Sequence, residues 1–225
     1  LMSFCDGKSL KHMPIVQDHK RAYEGDSGPN TGGMGTYTDS NHLLPFLNTD
    51  DVNEAKMINE ATINALRDKY DDKYKGILYG GFMATRDGVK LIEYNARFGD
   101  PEAMNVLSLL KTDFIDICFG ITNCELDKIQ VQFKKQATVC KYTVPEGYPD
   151  NPIKGQSINI NNITNLDRLY YASVDIENGQ LIESGSRTMA VVGIADTISE
   201  AEVFAEREVS SIIGPLFHRK DIGKD

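Results

Sequence analysis

The stretch Ile92-Glu93-Tyr94-Asn95-Ala96-Arg97-Phe98-Gly99-Asp100-Pro101-Glu102 decides how the chain is to be read. Its first half alternates, so Glu93 and Asn95 project from one face of a strand, where a carboxylate and an amide oxygen can share a hard cation such as Mg²⁺. Arg97 continues the alternation if the strand persists, and then faces a phosphate or a developing oxyanion. The bland alternative makes Glu93 and Arg97 a surface ion pair, but a carboxylate and an amide ending an otherwise apolar strand argue against simple burial. Asp100-Pro101 predicts a helix start, because aspartate caps free N–H groups and proline loses nothing at the first helical position. For Asp100, capping and a functional role stand level.

Working outward, residues 77–84, the turn Asp87-Gly88 and residues 89–95 read as a hairpin rich in Ile, Leu, Tyr, Phe and Val. Before it, Thr49 as N-cap and Val52, Ala55, Ile58, Ala61, Ala65 and Leu66 at helical spacing predict a helix to about Tyr70. Residues 1–5, the turn Asp6-Gly7 and a strand to about Val16 open the chain, which begins as if in mid-strand and suggests a fragment of something longer. After Asp100 the helix runs to about Leu110, and a second spans residues 113–119, stopped by Gly120. From Gln136 the texture changes: strands are predicted at residues 137–144, 156–160, 169–174 and 189–195, with Pro145, Gly147, Pro149 and Pro152 as punctuation. Ser199 with Glu202 makes a capping box for a helix to Ile213, ended by Gly214. The class is α+β, with a sheet-and-helix domain over residues 1–130 and a small, mostly β domain over residues 131–225.

Residues 17–37 show neither period and read as a loop. Within it, the run from Gly28, Pro29, Asn30, Thr31, Gly32 and Gly33 to Met34 and Gly35 can bring backbone N–H groups close to an anion. No Gly-Lys-Ser/Thr follows, so it is not a Walker A loop. Composition alone slightly favours a plain surface turn; the side chains of Asn30 and Thr31 shift the balance. Just upstream, Gln17-Asp18-His19-Lys20-Arg21 sets a carboxylate and two cations beside the loop, suited to an amine and a sugar phosphate respectively.

Acidic residues outnumber basic ones, 33 to 24, for a net charge of −9, so no uniform positive field is available for nucleic acid or an anionic membrane. No secretion signal or long apolar span is present, so the expectation is a cytoplasmic protein. Cys5, Cys118, Cys124 and Cys140 are scattered without metal-site spacing, and the four histidines lack i, i+4 partners.

Taken together, the run from Gln17 to Arg21, the loop from Gly28 to Gly35, Glu93-Tyr94-Asn95 and the segment from Arg97 to Glu102 resemble, in order and spacing, the signatures of phosphoribosylamine:glycine ligases of the ATP-grasp superfamily. The tail Arg219-Lys220-Asp221-Ile222-Gly223 resembles the same family. The resemblance implies the C-terminal half of an ATP-grasp domain, an antiparallel sheet with helices, followed by the ligase's C-terminal domain. It further implies ATP-dependent joining of glycine to phosphoribosylamine through a glycyl phosphate, in purine synthesis. Glu93 and Asn95 would hold Mg²⁺ (or Mn²⁺) against the ATP phosphates, and Arg97 would act catalytically on the transferring phosphoryl group. Asp18, Lys20, Arg21, Gly28, Pro29, Asn30, Thr31, Gly32, Gly33 and Asp100 would line the substrate side. The segment Tyr79-Gly80-Gly81-Phe82-Met83 lacks the further metal carboxylate of many ATP-grasp enzymes, which fits this narrow family. The implied N-terminal part, with the adenine contacts, should precede Leu1, so the fragment alone is expected to be inactive. The rival readings are another ATP-grasp carboxylate–amine ligase and a non-catalytic folded fragment.

Overall fold

The computed structural model describes residues 1–70 and 73–224, and their contacts divide into two units. The first comprises Leu1–Val16, His42–Gly99 and Val106–Lys135, and the second Gln17–Asn41, Asp100–Asn105 and Gln136–Asp225. In chain order the elements are β1 (Met2–Cys5), β2 (Leu10–His12), β3 (Gln17–Asp18), β4 (Arg21–Tyr23), β5 (Ser27–Asn30), β6 (Gly35–Thr38), α1 (Thr49–Tyr70), β7 (Gly76–Thr85), β8 (Gly88–Asn95), α2 (Glu102–Leu109) and α3 (Phe114–Asn123). They continue as β9 (Ala137–Pro145), β10 (Ser157–Ile158), β11 (Leu169–Tyr171), β12 (Val174–Glu177), β13 (Gln180–Glu183), β14 (Met189–Ala195), α4 (Ile198–Val209) and β15 (Leu216–Phe217). The mixed composition is the expected α+β class.

The first unit is built on an antiparallel sheet in the order β2-β1-β7-β8. Helix α1 lies on β7 and β8 and buries Val52, Ala55, Asn59 and Ile63. Ala61 and Ala65, expected inward, are exposed: each lies two residues from a buried position, about 200° around the helix. The helix is capped by Asn48 rather than Thr49, with the amide oxygen accepting from the N–H groups of Asp50 (2.8 Å) and Asp51 (3.0 Å). Asp113 caps α3 as N-terminal signals predict, accepting from Ile115 N at 2.8 Å. Gly120, expected to stop that helix, sits inside it and is buried, because a side chain there would collide with Ile129. The stop is Cys124, in the left-handed region at φ 57°, whose N–H turns back to the last carbonyls. Met2, Phe4, Met13, Val106, Ile117 and Leu126 form the core.

In the second unit, β11-β14-β9-β6-β3 form one sheet, with β15 also paired to β9. Strand β9 is buried along its whole length, and α4 packs on β9 and β14. Gly193 on β14 permits that packing, since a Cβ there would strike the Ala201 carbonyl oxygen. Residues 17–37, expected to be loop, contain the four short strands β3 to β6. The reason is non-local: β6 pairs with β9, Gly35 opposite Lys141 and Thr38 opposite Thr138, and is buried on both faces, which removes the alternation a sequence reader looks for. The N-cap of α4 is Thr197, whose hydroxyl accepts from Glu200 N–H (3.2 Å) and donates to the Glu200 carboxylate (3.0 Å), and not Ser199 with Glu202. Glu202 is instead buried against Lys141, whose fully buried ammonium donates to Glu202 (2.7 Å), Glu206 (2.7 Å) and the Lys220 carbonyl (3.1 Å). Strands β12 and β13, joined by the Asn178-Gly179 turn with both residues at positive φ, form a hairpin of which only the first residue of β12 fell inside an expected strand.

Candidate functional site

The predicted site residues fall into two groups, one in each unit. In the first unit, Glu93 and Asn95 share a face of β8, as the alternation requires, and Asn95 Nδ2 donates to Glu93 Oε1 at 3.2 Å. The strand ends at Asn95, so Arg97 lies in the bend that follows. Its guanidinium turns back to Asn95 Oδ1 (3.4 Å) and the Phe98 carbonyl (2.9 Å). Glu93 and Arg97 are both exposed. On the neighbouring strand Gly81 stands opposite Glu93 and Tyr79 opposite Asn95, so no second carboxylate comes from β7. Two oxygen donors side by side suit a hard divalent cation, with remaining positions for phosphate oxygens and water. Among the described residues no cluster of three or more His, Cys, Asp or Glu side chains is placed to hold a metal by itself.

In the second unit, the glycine run leaves the β4–β5 ribbon and crosses back to β6. Gly28, at φ 82°, sits on the Tyr23 ring, and Arg21 donates to the Gly28 carbonyl at 2.8 Å, so Arg21 shapes the ribbon. Thr31 ties the next turn: its hydroxyl donates to the Lys20 carbonyl (2.9 Å) and accepts from Gly33 N (3.0 Å). The base of the ribbon is held by the tail. Arg219, 2 % exposed, donates to Asp26 (2.7 Å), the Arg21 carbonyl (3.1 Å) and Asp221 (2.9 and 2.6 Å), while Asp221 also accepts from Gly25 N at 2.9 Å. Burial opposes charge on both partners, yet these bonds win: the Arg219 guanidinium is held above its usual range and Asp221 is held at about 2.

Asp18 lies against the end of this loop. A Cβ on Gly33, at φ 115°, would come within 2.8 Å of Asp18 Oδ1 and 2.7 Å of Pro101, so only glycine fits between them. Asp18 Oδ1 is buried and receives no hydrogen bond from the described residues. Burial, reinforced by the negative charge of buried Glu102, pushes the Asp18 carboxyl up to about 7, against the opposing pull of Lys20, the His19 N–H and Arg187. Burial likewise lowers the His19 imidazole, with Arg219 adding to the effect. Lys20 and Asn30 are exposed, and Pro29 is half-buried.

Asp100 does not cap α2, which begins at Glu102. Its carboxylate instead accepts from the Tyr142 hydroxyl (2.9 Å) and from Arg187 Nη2 (2.8 Å), so the side chain is drawn toward β9 and away from the helix N–H groups. Arg187 was not among the residues singled out from the sequence. Its Nη1 donates to the carbonyls of Gly32 (3.0 Å), Gly33 (3.3 Å) and Asp100 (3.0 Å), and its guanidinium stacks on the Tyr142 ring at 4.7 Å. A lone arginine in Ser186-Arg187-Thr188 carries no motif; only pairing between β9 and β14 brings it to the glycine turn.

Two family models match the chain. A family model described as phosphoribosylglycinamide synthetase, ATP-grasp (A) domain, matches residues 1–103, and one described as phosphoribosylglycinamide synthetase, C domain, matches residues 138–225. The chain is similar to the phosphoribosylamine–glycine ligase of Methanocella arvoryzae, 54% identical over 100% of this chain and 52% of that protein. It is also similar to that of Methanocaldococcus jannaschii, 53% identical over 100% of this chain and 51% of that protein. The chain therefore spans about half the length of the curated relatives it matches. Among solved structures, phosphoribosylamine–glycine ligase from Thermotoga maritima superposes with a TM-score of 0.85 at 27% identity, covering 98% of this chain and 54% of that one.

Proposed function

The chain belongs to the phosphoribosylglycinamide synthetase family, and from that membership we propose that it forms the metal-holding and substrate-lining part of an ATP-dependent ligase joining glycine to phosphoribosylamine. The observation that carries the proposal is the Glu93–Asn95 pair on one face of β8, with Arg97 reaching back to the same amide oxygen. ATP would phosphorylate the glycine carboxylate, and the amine of phosphoribosylamine would displace phosphate from the acyl phosphate to give glycinamide ribonucleotide and ADP. A bound Mg²⁺ or Mn²⁺ would neutralise and align phosphate oxygens. Glu93 and Asn95 supply its protein oxygens, and the exposed Arg97 supplies positive charge to the phosphoryl group in flight. Asp18, Lys20, Arg21, the run from Gly28 to Gly33 and Asp100 bind and orient glycine and the sugar phosphate. Within that group the exposed Lys20 would meet a phosphate, while Arg21 and Thr31 hold the loop's shape.

The proposed division near residue 130, an ATP-grasp part followed by a C domain, is supported by the matched ranges 1–103 and 138–225. The reaction belongs to the whole protein, and so do its place in purine synthesis and its cytoplasmic setting. No helix among the described residues is long and apolar enough to cross a membrane. The test is phosphate release dependent on ATP, Mg²⁺, glycine and freshly generated phosphoribosylamine, measured on this chain and on a form extended by the other half found in its relatives. Glu93→Ala in the extended form should abolish turnover. Near-normal activity with Mg²⁺ would sink the metal assignment, and turnover with a different acid or amine would favour another ATP-grasp ligase.

A further inference from the structure

Arg187 has five N–H donors and only part of them are occupied. The two Nη1 hydrogens are shared among the carbonyls of Gly32, Gly33 and Asp100, and one Nη2 hydrogen goes to the Asp100 carboxylate. The guanidinium plane packs on the Tyr142 ring and against Gly32. The Tyr142 ring lies 4.7 Å from Cζ, and Gly32 packs so closely that an added Cβ would stand 3.0 Å from Cζ and 3.1 Å from both Nε and Nη2. Those near-equal distances place Gly32 over the plane, not at its edge. What is left is the edge formed by Nε–H and the second Nη2–H, which meets no acceptor among the described residues although the side chain is only 17% exposed.

We propose that this edge of Arg187 is an anion-binding site that receives two oxygens of one substrate group, a carboxylate or a phosphate, in side-on bidentate fashion. The proposal deepens the ligase reading and rests on it for the choice of ligands. Three features favour it. A guanidinium packed on Tyr142 and Gly32 and pinned by four hydrogen bonds is already ordered, so little rotamer entropy is lost on binding. Asp100 is bound to the same guanidinium, yet its own carboxylate is held by Tyr142 and Nη2, so it does not compete for the remaining edge. Finally, Asp18 and Arg187 meet the same glycine turn, Asp18 Oδ1 against Gly33 and Arg187 on the Gly33 carbonyl, and the buried Oδ1 has no donor among the described residues, so an acceptor and a cation on one turn complement a substrate that carries both an amine and an anionic group. The arrangement also explains Gly32. Its φ is not positive, so what a side chain there would meet is the arginine face and not backbone strain.

The experiment follows the Arg187 Nε–H resonance of this chain, labelled with ¹⁵N, during separate titrations with glycine and with ribose 5-phosphate. One of the two should shift it saturably, and which one does so identifies the bound group as carboxylate or phosphate. Arg187→Lys, which keeps the charge but loses the fork, should weaken that ligand at least about tenfold. Gly32→Ala, which displaces the guanidinium without changing charge, should weaken it as well. A silent Nε–H resonance with both ligands at tens of millimolar overturns the proposal, as does Arg187→Lys binding within about twofold of the parent. If Arg187→Lys does not fold, the wild-type resonance and Gly32→Ala decide. Failure of the ligase reading looks different: the extended protein shows no turnover while the resonance still responds.

Discussion

Replacing Asp18 by asparagine should make the protein more stable at pH 8 than the parent, by an amount that shrinks as the pH falls. In the fold the carboxyl titrates at about 7 against an ordinary 3.8, because burial and Glu102 disfavour its charge. Between those values the folded state holds a proton that the unfolded state has released, so stability falls with rising pH by about 1.4 kcal/mol per unit and levels off above about 7. From pH 5 to 8 the parent should thus lose about 2–3 kcal/mol that the asparagine variant keeps. At roughly 2–4 °C per kcal/mol for a domain of this size, the difference between their melting temperatures should move by about 4–12 °C across that range. Thermal unfolding followed by circular dichroism at half-unit pH steps measures it. A difference that stays flat from pH 5 to 8, or that favours the variant most at pH 5, refutes the account of Asp18 as a carboxyl held neutral by its surroundings.

Lys141→Met should cost about 3–5 kcal/mol of stability, because it leaves buried Glu202 and half-buried Glu206 without their shared cation; chemical denaturation within about 1 kcal/mol of the parent would contradict this. Glu206 is held down at about 2: burial opposes its charge, but Lys141 and His218 outweigh burial. With its folded value below the ordinary 4.5, its contribution is present above that pH and is lost as the pH falls toward about 2. Glu206→Gln should therefore flatten the acid side of the stability profile, read as melting temperature from pH 5 to 2.5, and an unchanged profile would remove Glu206 from the explanation of acid loss.

Much of this protein was legible in the sequence wherever the governing interaction is local. The β7–β8 hairpin follows from apolar strands around Asp87-Gly88, α1 from its 3.6-residue stripe, and the shared face of Glu93 and Asn95 from the two-residue period of a strand. Cap positions slipped by one or two residues, Asn48 for Thr49 and Thr197 for Ser199, because neighbouring residues of equal capping capacity compete and only the backbone decides between them. The Asn178-Gly179 turn was a readable hairpin signal; the strands beside it are short and carry little alternation.

By itself the sequence determined the α+β class, the hairpin that sets Glu93 and Asn95 on one face, and the order of motifs that resembles the family's. Tertiary structure alone decided the surroundings of β6, Asp18 and Asp100. Strand β6 exists because β9, about a hundred residues later, supplies its hydrogen bonds. Asp100 became an ion-pair partner and not a helix cap because Tyr142 and Arg187 reach it first. Asp18 acquired its raised affinity for a proton from Glu102 and from burial, neither of which its neighbours in sequence contain. The physical reason is common to all three: periodicity and capping act over a few residues, whereas burial, charge pairing and strand partnership depend on which distant segments the sheet brings together.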